Sequence, residues 1–452
     1  MARAMKDSGI EWIGEIPEGW KVSKVSTFFD IQLGKMLQPS QENESDTYES
    51  YLCAANLGNN KLKMEPLKQM WFSREDKEKF SVRCGDLLVV EGGDVASSDI
   101  IAEPVHGLYI QNALHRVRSR NGFELRFLRY YLSIAKASGH IDLICNKATI
   151  AHFTKDKFGA LPYVVVPLEE QKRIADYLDS ECARIDAVIE QTRTSIEEYK
   201  KLKQSVITQD VTKGIRPGRK MKDSGVEWIG EIPESFTRRK LKTFSEIISK
   251  GTTPKEMETE FNDIYTVRYI KSENIVANRL QELPLFTITE QIHFGELQRS
   301  KLSDRDILFV IAGASIGKVA IMRKDMLPAN TNQATCFIRI NTQYLKYQKY
   351  IWYVLQADFI KTYIQLFAVQ SAQPNLSMAD LGDLFIPVPS EEDEVYHITE
   401  YLDSMCARID YLTNQKEQLL LDLESYKKSL IFEYVTGKKE VQVCGKAKIN
   451  PF

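Results

Sequence analysis

MKDSGIEWIGEIPE at residues 5–18 returns as MKDSGVEWIGEIPE at residues 221–234, with one substitution. Further along the chain, YLDSECARID at residues 177–186 returns as YLDSMCARID at residues 401–410. Two long matches in the same order are beyond chance, so the chain is a tandem duplication. Each copy runs from a start motif through a long variable region to a long helical pattern.

The two variable regions, from Glu15 to Pro167 and from Glu231 to Pro389, mix short apolar runs with turn signals. In each copy an apolar run that ends at glycine predicts a buried strand, a second strand follows a turn with amide side chains, and a helix-like segment comes next. The segments are CGDLLVVEGGD (84–94), IQNALHRVR (110–118) and FELRFLRYYLSIA (123–135), then SDRDILFVIAGASIG (303–317), TNQATCFIRI (331–340) and QYLKYQKYIWYVLQ (343–356). Strands first and helices second predict compact α+β domains.

The long helical patterns begin after a proline and a group of acidic residues, which favour a helix N-terminus. No Pro or Gly interrupts residues 168–213 or 390–436, and each stretch stops at a glycine, Gly214 or Gly437. Apolar and semi-apolar residues recur at steps of about three and four, the spacing of a coiled coil. They are Ile174, Leu178, Ile185, Val188, Tyr199, Leu202 and Val206, then Ile398, Leu402, Met405, Ile409, Leu412, Leu419, Leu423, Tyr426 and Leu430.

Each of these helices is about 65–70 Å long at 1.5 Å per residue. A helix with one narrow apolar seam needs a partner, and the other copy's helix is the simplest one. The predicted fold is therefore α+β, with two globular domains joined by two long antiparallel helices that form a coiled coil around a pseudo-twofold axis. The expected boundaries are 1–167 for the first globular domain, 168–214 for the central helix, 215–389 for the second domain, 390–437 for the C-terminal helix and 438–452 for a tail.

Composition narrows the class of protein. The 452 residues include 43% hydrophobic and 27% charged residues, as in ordinary globular proteins. The seven cysteines form no C-x-x-C pair, and neither a signal peptide nor an apolar run of membrane-spanning length is present, so we expect a cytoplasmic protein with free thiols and no membrane contact. The net charge of -2 speaks against a purely electrostatic DNA binder. DNA binding would therefore need local basic loops or a partner.

No catalytic motif is complete. GASIGK at residues 313–318 resembles a phosphate-binding loop, but three residues separate the glycines where four are needed, so a strand-terminating turn explains it better. NPF at residues 450–452 resembles the Asn-Pro-Pro-aromatic motif of amino-methyltransferases but lacks one proline. Cys182 and Cys406 occupy equivalent helix positions, where small seam residues are a better explanation than a shared metal. We expect no catalytic residue, cofactor or metal on this chain.

Polar turns in the variable regions are the better candidates for DNA contact. They place lysines, hydroxyls and glycines where backbone can approach a phosphate, and amides that can pair with adenine edges. The competing explanation is turn chemistry, because Gly, Asn, Thr and Pro build turns anyway. The candidates are Lys35, Gln38, Gly92, Asp94 and Asn112 in the first copy, and Lys250, Thr252, Thr253, Ser315, Lys318, Asn332 and Gln333 in the second.

Four motifs together resemble the specificity subunit of Type I restriction-modification systems. They are MKDSGVEWIGEIPE, VPLEEQKRIADYLD, the KGTTP turn and the NQA segment, and the resemblance covers essentially the whole chain. The first copy departs from the pattern, since LGKMLQPS stands where a G-T-T-P turn is expected. Its helix also carries polar residues at seam positions, namely Glu181, Thr192 and Ser195.

The resemblance implies a division of labour. Two target-recognition domains would each read one half of a gapped, bipartite site in double-stranded DNA, and the long helices would act as a spacer and dock two methyltransferase subunits. Those partners would carry S-adenosylmethionine and methylate adenine, whereas this chain would not be catalytic. The resemblance leaves open whether a restriction and translocase subunit joins.

Three other functions compete with this interpretation. A stand-alone DNA-binding or architectural protein would bind duplex DNA tightly without a methyltransferase. A nuclease would need a carboxylate-metal cluster, and the sequence offers none. A coiled-coil scaffold without a nucleic-acid role leaves two large, diverged domains without purpose.

Overall fold

The computed structural model describes residues 3–145, 152–368 and 374–441, in two compact units. Unit 1 comprises Met1–Thr192 and Gln418–Phe452, and unit 2 comprises Arg193–Glu417. Each predicted long helix therefore contributes one part to each unit. The NPF sequence and residues 442–452 of the expected tail lie outside the described residues. Among the helices that are described, none is long and apolar enough to cross a membrane.

Unit 1 begins with strands, continues with short helices and a further strand, and then enters the first long helix. Its elements are β1 (Met5–Asp7), β2 (Glu15–Pro17), β3 (Lys21–Lys24), α1 (Val25–Phe28), β4 (Phe29–Leu33), β5 (Thr47–Leu52), β6 (Leu57–Gly58), β7 (Lys61–Leu62), β8 (Lys68–Phe72), α2 (Arg74–Phe80), β9 (Leu87–Val90), β10 (Ser98–Ile100), β11 (Leu108–Ile110), β12 (Leu114–Ser119), α3 (Leu125–Ala137), α4 (His140–Cys145), α5 (Lys155–Ala160), β13 (Pro162–Val165) and α6 (Leu168–Lys213).

Within the described part of unit 1, a four-stranded antiparallel sheet in the order β10-β9-β12-β4 lies between two cores. Side chains alternate between the faces of a strand. Leu87 and Val89 of β9 face the core that contains α3, and Leu88 and Val90 face the core of the three-stranded sheet β11-β5-β8. All four are buried, which is why this stretch reads as an unbroken apolar run. The expectation of strands first and helices second is incomplete, because β13 follows α5 and pairs with β3.

Unit 2 repeats this order of elements. They are β14 (Met221–Asp223), β15 (Glu231–Pro233), β16 (Phe236–Lys240), β17 (Ser245–Lys250), β18 (Tyr265–Ile270), β19 (Ile275–Val276), β20 (Arg279–Leu280), β21 (Thr287–Thr289), α7 (Glu290–Phe294), β22 (Ile307–Val310), β23 (Val319–Ile321), β24 (Ala329–Thr331), β25 (Thr335–Ile340), α8 (Gln348–Val354), α9 (Asp358–Phe367), α10 (Met378–Asp383), β26 (Phe385–Pro389) and α11 (Glu392–Val435).

The described residues of unit 2 also form a four-stranded sheet, in the order β17-β25-β22-β23, and a three-stranded sheet, β21-β18-β24. Ile307 and Phe309 of β22 face the core that contains α8 and α9, and Leu308 and Val310 face the opposite core. The last strand, β26, pairs with β16, as β13 does with β3. The predicted α+β fold is confirmed in both copies.

The repeated start motif forms the same hairpin in each unit. β1 pairs with β2 and β14 pairs with β15, both antiparallel. In the turn, the Asp7 carboxylate accepts the Gly9 N–H at 2.9 Å, and Asp223 accepts the Gly225 N–H at 2.8 Å. Gly9 and Gly225 have φ of +70° and +68°, a region that favours glycine. Local turn chemistry therefore explains the D-S-G sequence.

The long helices pair antiparallel in each unit, as predicted. In unit 1, Tyr177 lies against Tyr434 with ring centroids 4.5 Å apart, and Asp186 binds Lys427 at 2.6 Å. Residue numbers therefore rise along α6 as they fall along α11. In unit 2 the Lys203 ammonium binds the Asp410 carboxylate at 2.7 Å.

The predicted seam is partly wrong. Val188 and Leu202 of α6 are 41% and 46% exposed, and Leu419 and Tyr426 of α11 are 42% and 55% exposed. Between Leu178 and Ile196, the buried positions of α6 are Leu178, Cys182, Ile185, Ile189, Thr192 and Ile196. Their steps are four, three, four, three and four, which is a regular coiled-coil spacing.

The difference lies in one step of the seam. The prediction goes three residues from Ile185 to Val188, whereas the buried seam goes four residues from Ile185 to Ile189. The Thr192 hydroxyl donates to the Val188 carbonyl at 2.7 Å, so its polar group is satisfied within its own helix. Of the other polar positions noted in the sequence, Glu181 and Ser195 are half-buried.

Candidate nucleic-acid interface

In unit 1, three turns meet at one end of the four-stranded sheet. The turn after β4 and the turn before β12 are joined because the Asn112 N–H donates to the Lys35 carbonyl at 2.8 Å. The turn after β9 joins them through the Glu91 N–H, which donates to the Ala113 carbonyl at 2.9 Å. This set is loop cluster 1, which comprises residues 34–38, 91–94 and 111–113.

Unit 2 assembles the matching turns at the matching end of its sheet. The Gly251 N–H donates to the Asn332 carbonyl at 3.0 Å, and the Ile311 N–H donates to the Ala334 carbonyl at 2.8 Å. The Tyr269 hydroxyl donates to the Thr252 carbonyl at 2.8 Å, which ties strand β18 to this turn. This set is loop cluster 2, which comprises residues 250–254, 312–318 and 332–334.

One glycine in each cluster lies at a close approach of two backbones. A Cβ atom on Gly34 would lie 2.4 Å from the Gln111 carbonyl oxygen, and one on Gly251 would lie 1.6 Å from the Thr331 carbonyl oxygen. Neither distance can be accommodated without moving backbone. The glycine of the L-G-K and K-G-T sequences is therefore required by packing between turns, whatever the turns contact.

All twelve candidate residues lie in the two loop clusters. Loop cluster 1 contains Lys35, Gln38, Gly92, Asp94 and Asn112, and loop cluster 2 contains Lys250, Thr252, Thr253, Ser315, Lys318, Asn332 and Gln333. The structure thus brings together side chains that are up to 83 residues apart in the sequence, such as Lys250 and Gln333.

The charged groups of loop cluster 1 are bound within the chain. The Lys35 ammonium forms an ion pair with Asp76, and both side chains are largely buried. Burial acts to raise the pKa of Asp76, but the hydrogen bonds from Lys35 and Ser73 outweigh it and hold the pKa below its usual value. Asp94 in the same way binds the Lys136 ammonium and accepts the Asn59 N–H at 2.9 Å.

The amides of loop cluster 1 are also partly engaged. The Gln111 Nε2 donates to the Asn112 Oδ1 at 2.5 Å, and the Gln38 Nε2 lies 3.5 Å from the Asp46 carboxylate. Gly92 forms a β-bridge with His152, whose imidazole lies 2.9 Å from the Glu91 carboxylate. Each of these contacts holds the turns in place and leaves fewer polar groups for a ligand.

Loop cluster 2 is open in comparison. The side chains of Lys250, Thr252, Thr253, Lys318 and Gln333 are exposed. Within the part of the chain that the structure describes, neither lysine ammonium forms an ion pair. Ser315 and Asn332 are half-buried, and the Asn332 Oδ1 is buried without a hydrogen-bond donor among the described residues. This surface can offer cations, hydroxyls and an amide to DNA.

Two residues of loop cluster 1 were not singled out from the sequence. Met36 and Leu37 are 75% and 58% exposed, next to the buried Lys35. The sequence does contain an indication of their role, because two large apolar residues occupy turn positions where the second copy has threonine and proline. Apolar side chains can contact thymine methyl groups, so these two join the candidate residues.

The phosphate-loop resemblance of residues 313–318 does not extend to structure. The Gly317 N–H donates to the Val310 carbonyl at 2.9 Å, and the turn leads into strand β23, whereas a phosphate-binding loop opens a helix. No group of three or more His, Cys, Asp or Glu side chains in the described ranges could hold a metal ion.

Comparison with known proteins identifies the family. A family model described as Type I restriction modification DNA specificity domain matches residues 17–198 and 233–421. The chain is 24% identical over 430 residues to the Type I restriction enzyme MjaVIII specificity subunit of Methanocaldococcus jannaschii, which covers 94% of each chain. It is 23% identical over 389 residues to the Type I restriction enzyme EcoBI specificity subunit of Escherichia coli, across 82% of this chain and 77% of that one.

A solved structure from work on complex assembly and conformational transition of the type I R-M system shares the fold. The TM-score is 0.70 at 14% identity, and the match covers 94% of this chain and 99% of that chain. The resemblance drawn from the repeated motifs is thereby confirmed. The protein belongs to the family of Type I restriction-modification DNA specificity subunits, and its part is to recognise DNA sequence, not to catalyse.

Proposed function

We propose that the chain reads a gapped, bipartite site in double-stranded DNA, with one loop cluster on each half-site. Residues 1–167 and 215–389 are the two target-recognition domains, residues 168–214 and 390–437 are the spacer helices, and residues 438–452 are a tail. One observation supports this proposal most. The two loop clusters share a backbone arrangement but expose different side chains, as expected of two domains that recognise different DNA sequences.

The proposed contacts fall into two groups. Lys250, Lys318 and the hydroxyls of loop cluster 2 suit phosphate oxygens, while Asn332 and Gln333 suit adenine edges. In loop cluster 1 the exposed Met36 and Leu37, with Gln38 and Asn112, suit base edges. The Lys35, Gly92 and Asp94 of that cluster contribute through the position of their turns.

The proposed protein partners are two methyltransferase subunits that dock on the long helices. Helix α11 exposes large aromatic and apolar side chains along a mainly polar surface, and such side chains commonly mark interfaces. They are Tyr396, Tyr401, Tyr411, Leu419, Leu421 and Tyr426. In this proposal the methyltransferase subunits carry S-adenosylmethionine and methylate adenine in the cytoplasm. A restriction and translocase subunit is a further proposed partner.

The test is single-molecule methylome sequencing of a host that expresses this chain with its cognate methyltransferase. We expect methylated adenines in one gapped motif, with two specified halves and an unspecified spacer of fixed length. A host that expresses the methyltransferase alone is the control and should lack the motif. An ungapped motif, or modification that does not depend on this chain, would contradict the proposal.

A further inference from the structure

Unit 1 carries an exposed pair of aromatic side chains outside loop cluster 1. Tyr48 of β5 and Trp71 of β8 lie opposite each other in the three-stranded sheet, with ring centroids 5.3 Å apart. Tyr48 is 52% exposed, and Trp71 is half-buried beside it. Apolar side chains that cluster at a surface mark contact sites more often than isolated ones do. The aromatic pair therefore indicates a further contact surface on unit 1.

A backbone hydrogen bond holds the aromatic pair against loop cluster 1. The Trp71 N–H donates to the Gln38 carbonyl at 3.1 Å, so the end of the first turn of the cluster runs along the outer edge of β8. Because this N–H points away from β5, Tyr48 and Trp71 form a pair without hydrogen bonds between them, the kind in which two side chains lie closest. The exposed Met36 and Leu37 precede Gln38 directly. The aromatic pair therefore adjoins the apolar part of loop cluster 1.

The matching place in unit 2 can be found from the repeat. YLCAANL, which begins at Tyr51, matches YIKSENI 218 residues later. The strand pairs keep the same offset, since Glu49 pairs with Met70 in unit 1 and Val267 pairs with Ile288 in unit 2. The two three-stranded sheets can therefore be compared position by position.

Unit 2 has threonines where unit 1 has the aromatic pair. The positions that match Tyr48 and Trp71 are Thr266 and Thr289. Strand β21 ends at Thr289, whose hydroxyl accepts the Ile292 N–H at 3.2 Å and so caps helix α7. The aromatic pair is thus present at this place in unit 1 and absent from it in unit 2, as expected of residues that serve one half-site.

The charges around the aromatic pair do not suit phosphate. On either side of the tyrosine along β5, the Thr47 hydroxyl and the Glu49 carboxylate bind the Lys77 ammonium, at 3.0 and 3.7 Å. Glu42 and Glu44, in the segment that leads to β5, are exposed. Carboxylates repel phosphate oxygens. This surface therefore suits base edges better than the DNA backbone.

We propose that Tyr48, packed on Trp71, contacts the C5 methyl group of a thymine in the half-site that unit 1 reads. This inference rests on the proposed function, in which each unit reads one half of a bipartite site. The thymine methyl is the apolar group that base pairs present in the major groove. An aromatic ring can cover it, and the neighbouring indole supports the ring from one side. Cytosine presents an amino group and no methyl group, so the contact selects an A·T pair at one position.

The experiment measures binding of the complex of this chain with its methyltransferase subunits to a duplex that carries the methylated motif. Each thymine of the motif is replaced singly by deoxyuridine, which lacks only the C5 methyl group and keeps every hydrogen bond. Fluorescence anisotropy at a fixed salt concentration gives the Kd. We expect a thymine in one half of the motif whose replacement raises the Kd about fourfold, the effect of one buried methyl group.

Variants connect that thymine to Tyr48. Tyr48→Ala should weaken binding of the thymine duplex about fourfold or more and remove the difference between thymine and deoxyuridine at that one position. Tyr48→Phe keeps the ring and should keep the difference. Thr266→Ala, at the matching place in unit 2, is the control and should leave the difference unchanged. Since both side chains lie at the surface, all three variants should keep the melting temperature of the complex.

Three outcomes are distinguishable. Deoxyuridine that binds as well as thymine at every position, or a difference that survives Tyr48→Ala at every position, overturns the inference and leaves the bipartite site intact. Loss of assembly with the methyltransferase subunits in Tyr48→Ala would show a protein contact and also overturns it. Failure of the proposed function would appear in the parent complex, as an ungapped methylated motif.

Discussion

Loop cluster 1 and loop cluster 2 share a backbone arrangement but differ in whether their charged side chains form ion pairs within the chain. Lys35 and Asp94 of the first are bound by Asp76 and Lys136. Lys250 and Lys318 of the second are exposed and form no ion pair within the described residues. Since a cation bound inside the protein cannot neutralise a phosphate, the second cluster should supply most of the electrostatic attraction to DNA and the first should act through shape and apolar contact.

The two copies keep the same backbone contact although the residues around it differ. Gly34 and Gly251 each lie against a backbone carbonyl of the segment that precedes β12 or β25, respectively, and the residues that follow the two glycines are not the same. A short list of backbone contacts therefore holds the reading surface, while the residues around them vary.

The largest effect is expected when the backbone contact of Gly251 is disrupted. Gly251→Ala places a Cβ atom 1.6 Å from the Thr331 carbonyl oxygen, so the turn must move and unit 2 should lose about 3 kcal/mol or more of stability. Thermal unfolding of the complex measures this loss. Gly58→Ala is the control, because an added Cβ there meets nothing within 4 Å. A change in Gly251→Ala as small as in the control would mean that the two turns do not pack as described.

An intermediate effect is expected from the lysines, and it tests whether loop cluster 2 supplies more of the electrostatic attraction to DNA than loop cluster 1. Lys250→Ala with Lys318→Ala should weaken DNA binding and lower the salt slope by about 0.9 for each phosphate contact removed. Fluorescence anisotropy with the cognate duplex over a series of salt concentrations measures the slope. Lys35→Ala is the matched variant in loop cluster 1 and should leave the slope unchanged, since that lysine binds Asp76. An equal change of slope in both variants would remove the distinction between the clusters.

The smallest expected effect concerns Asp210. Its pKa is raised from 3.8 to about 6, so the folded protein holds this proton more tightly than the unfolded chain. Stability should therefore fall as the pH rises from about 4 to about 6, by about 1 kcal/mol once solvent screening is allowed for, and stay level above that range. Asp210→Asn should remove this loss and stabilise unit 2 at pH 8. Chemical denaturation at pH 4 and pH 8 measures the difference, and a pH-independent difference would contradict the assigned pKa.

Much of the frame could be predicted from the sequence because its causes are local or periodic. The repeated D-S-G turns, the apolar run of β9 and the uninterrupted residues of α6 each carry their own signal. The seam was misplaced at Val188 because Val188 and Ile189 are adjacent apolar residues, and steps of three and of four are both typical of a coiled coil.

The site was harder to predict because its decisive contacts are long-range. The sequence singled out the polar turns, but that Lys35 binds Asp76, 41 residues away, has no local signal. Asp210 is followed by the same Val-Thr pair as Tyr434, so the two residues correspond in the repeat. That Asp210 is buried, with an Oδ2 that accepts no hydrogen bond among the described residues, depends on packing that only the structure shows.

The central claim is that the two units read separate half-sites. The direct measurement is methylome sequencing after residues 19–163 are exchanged for the matching domain of another specificity subunit, with the methyltransferase unchanged. Because loop cluster 1 lies wholly in the exchanged part, we predict that one half of the methylated motif changes and the other half keeps its bases. A change in both halves would contradict the account.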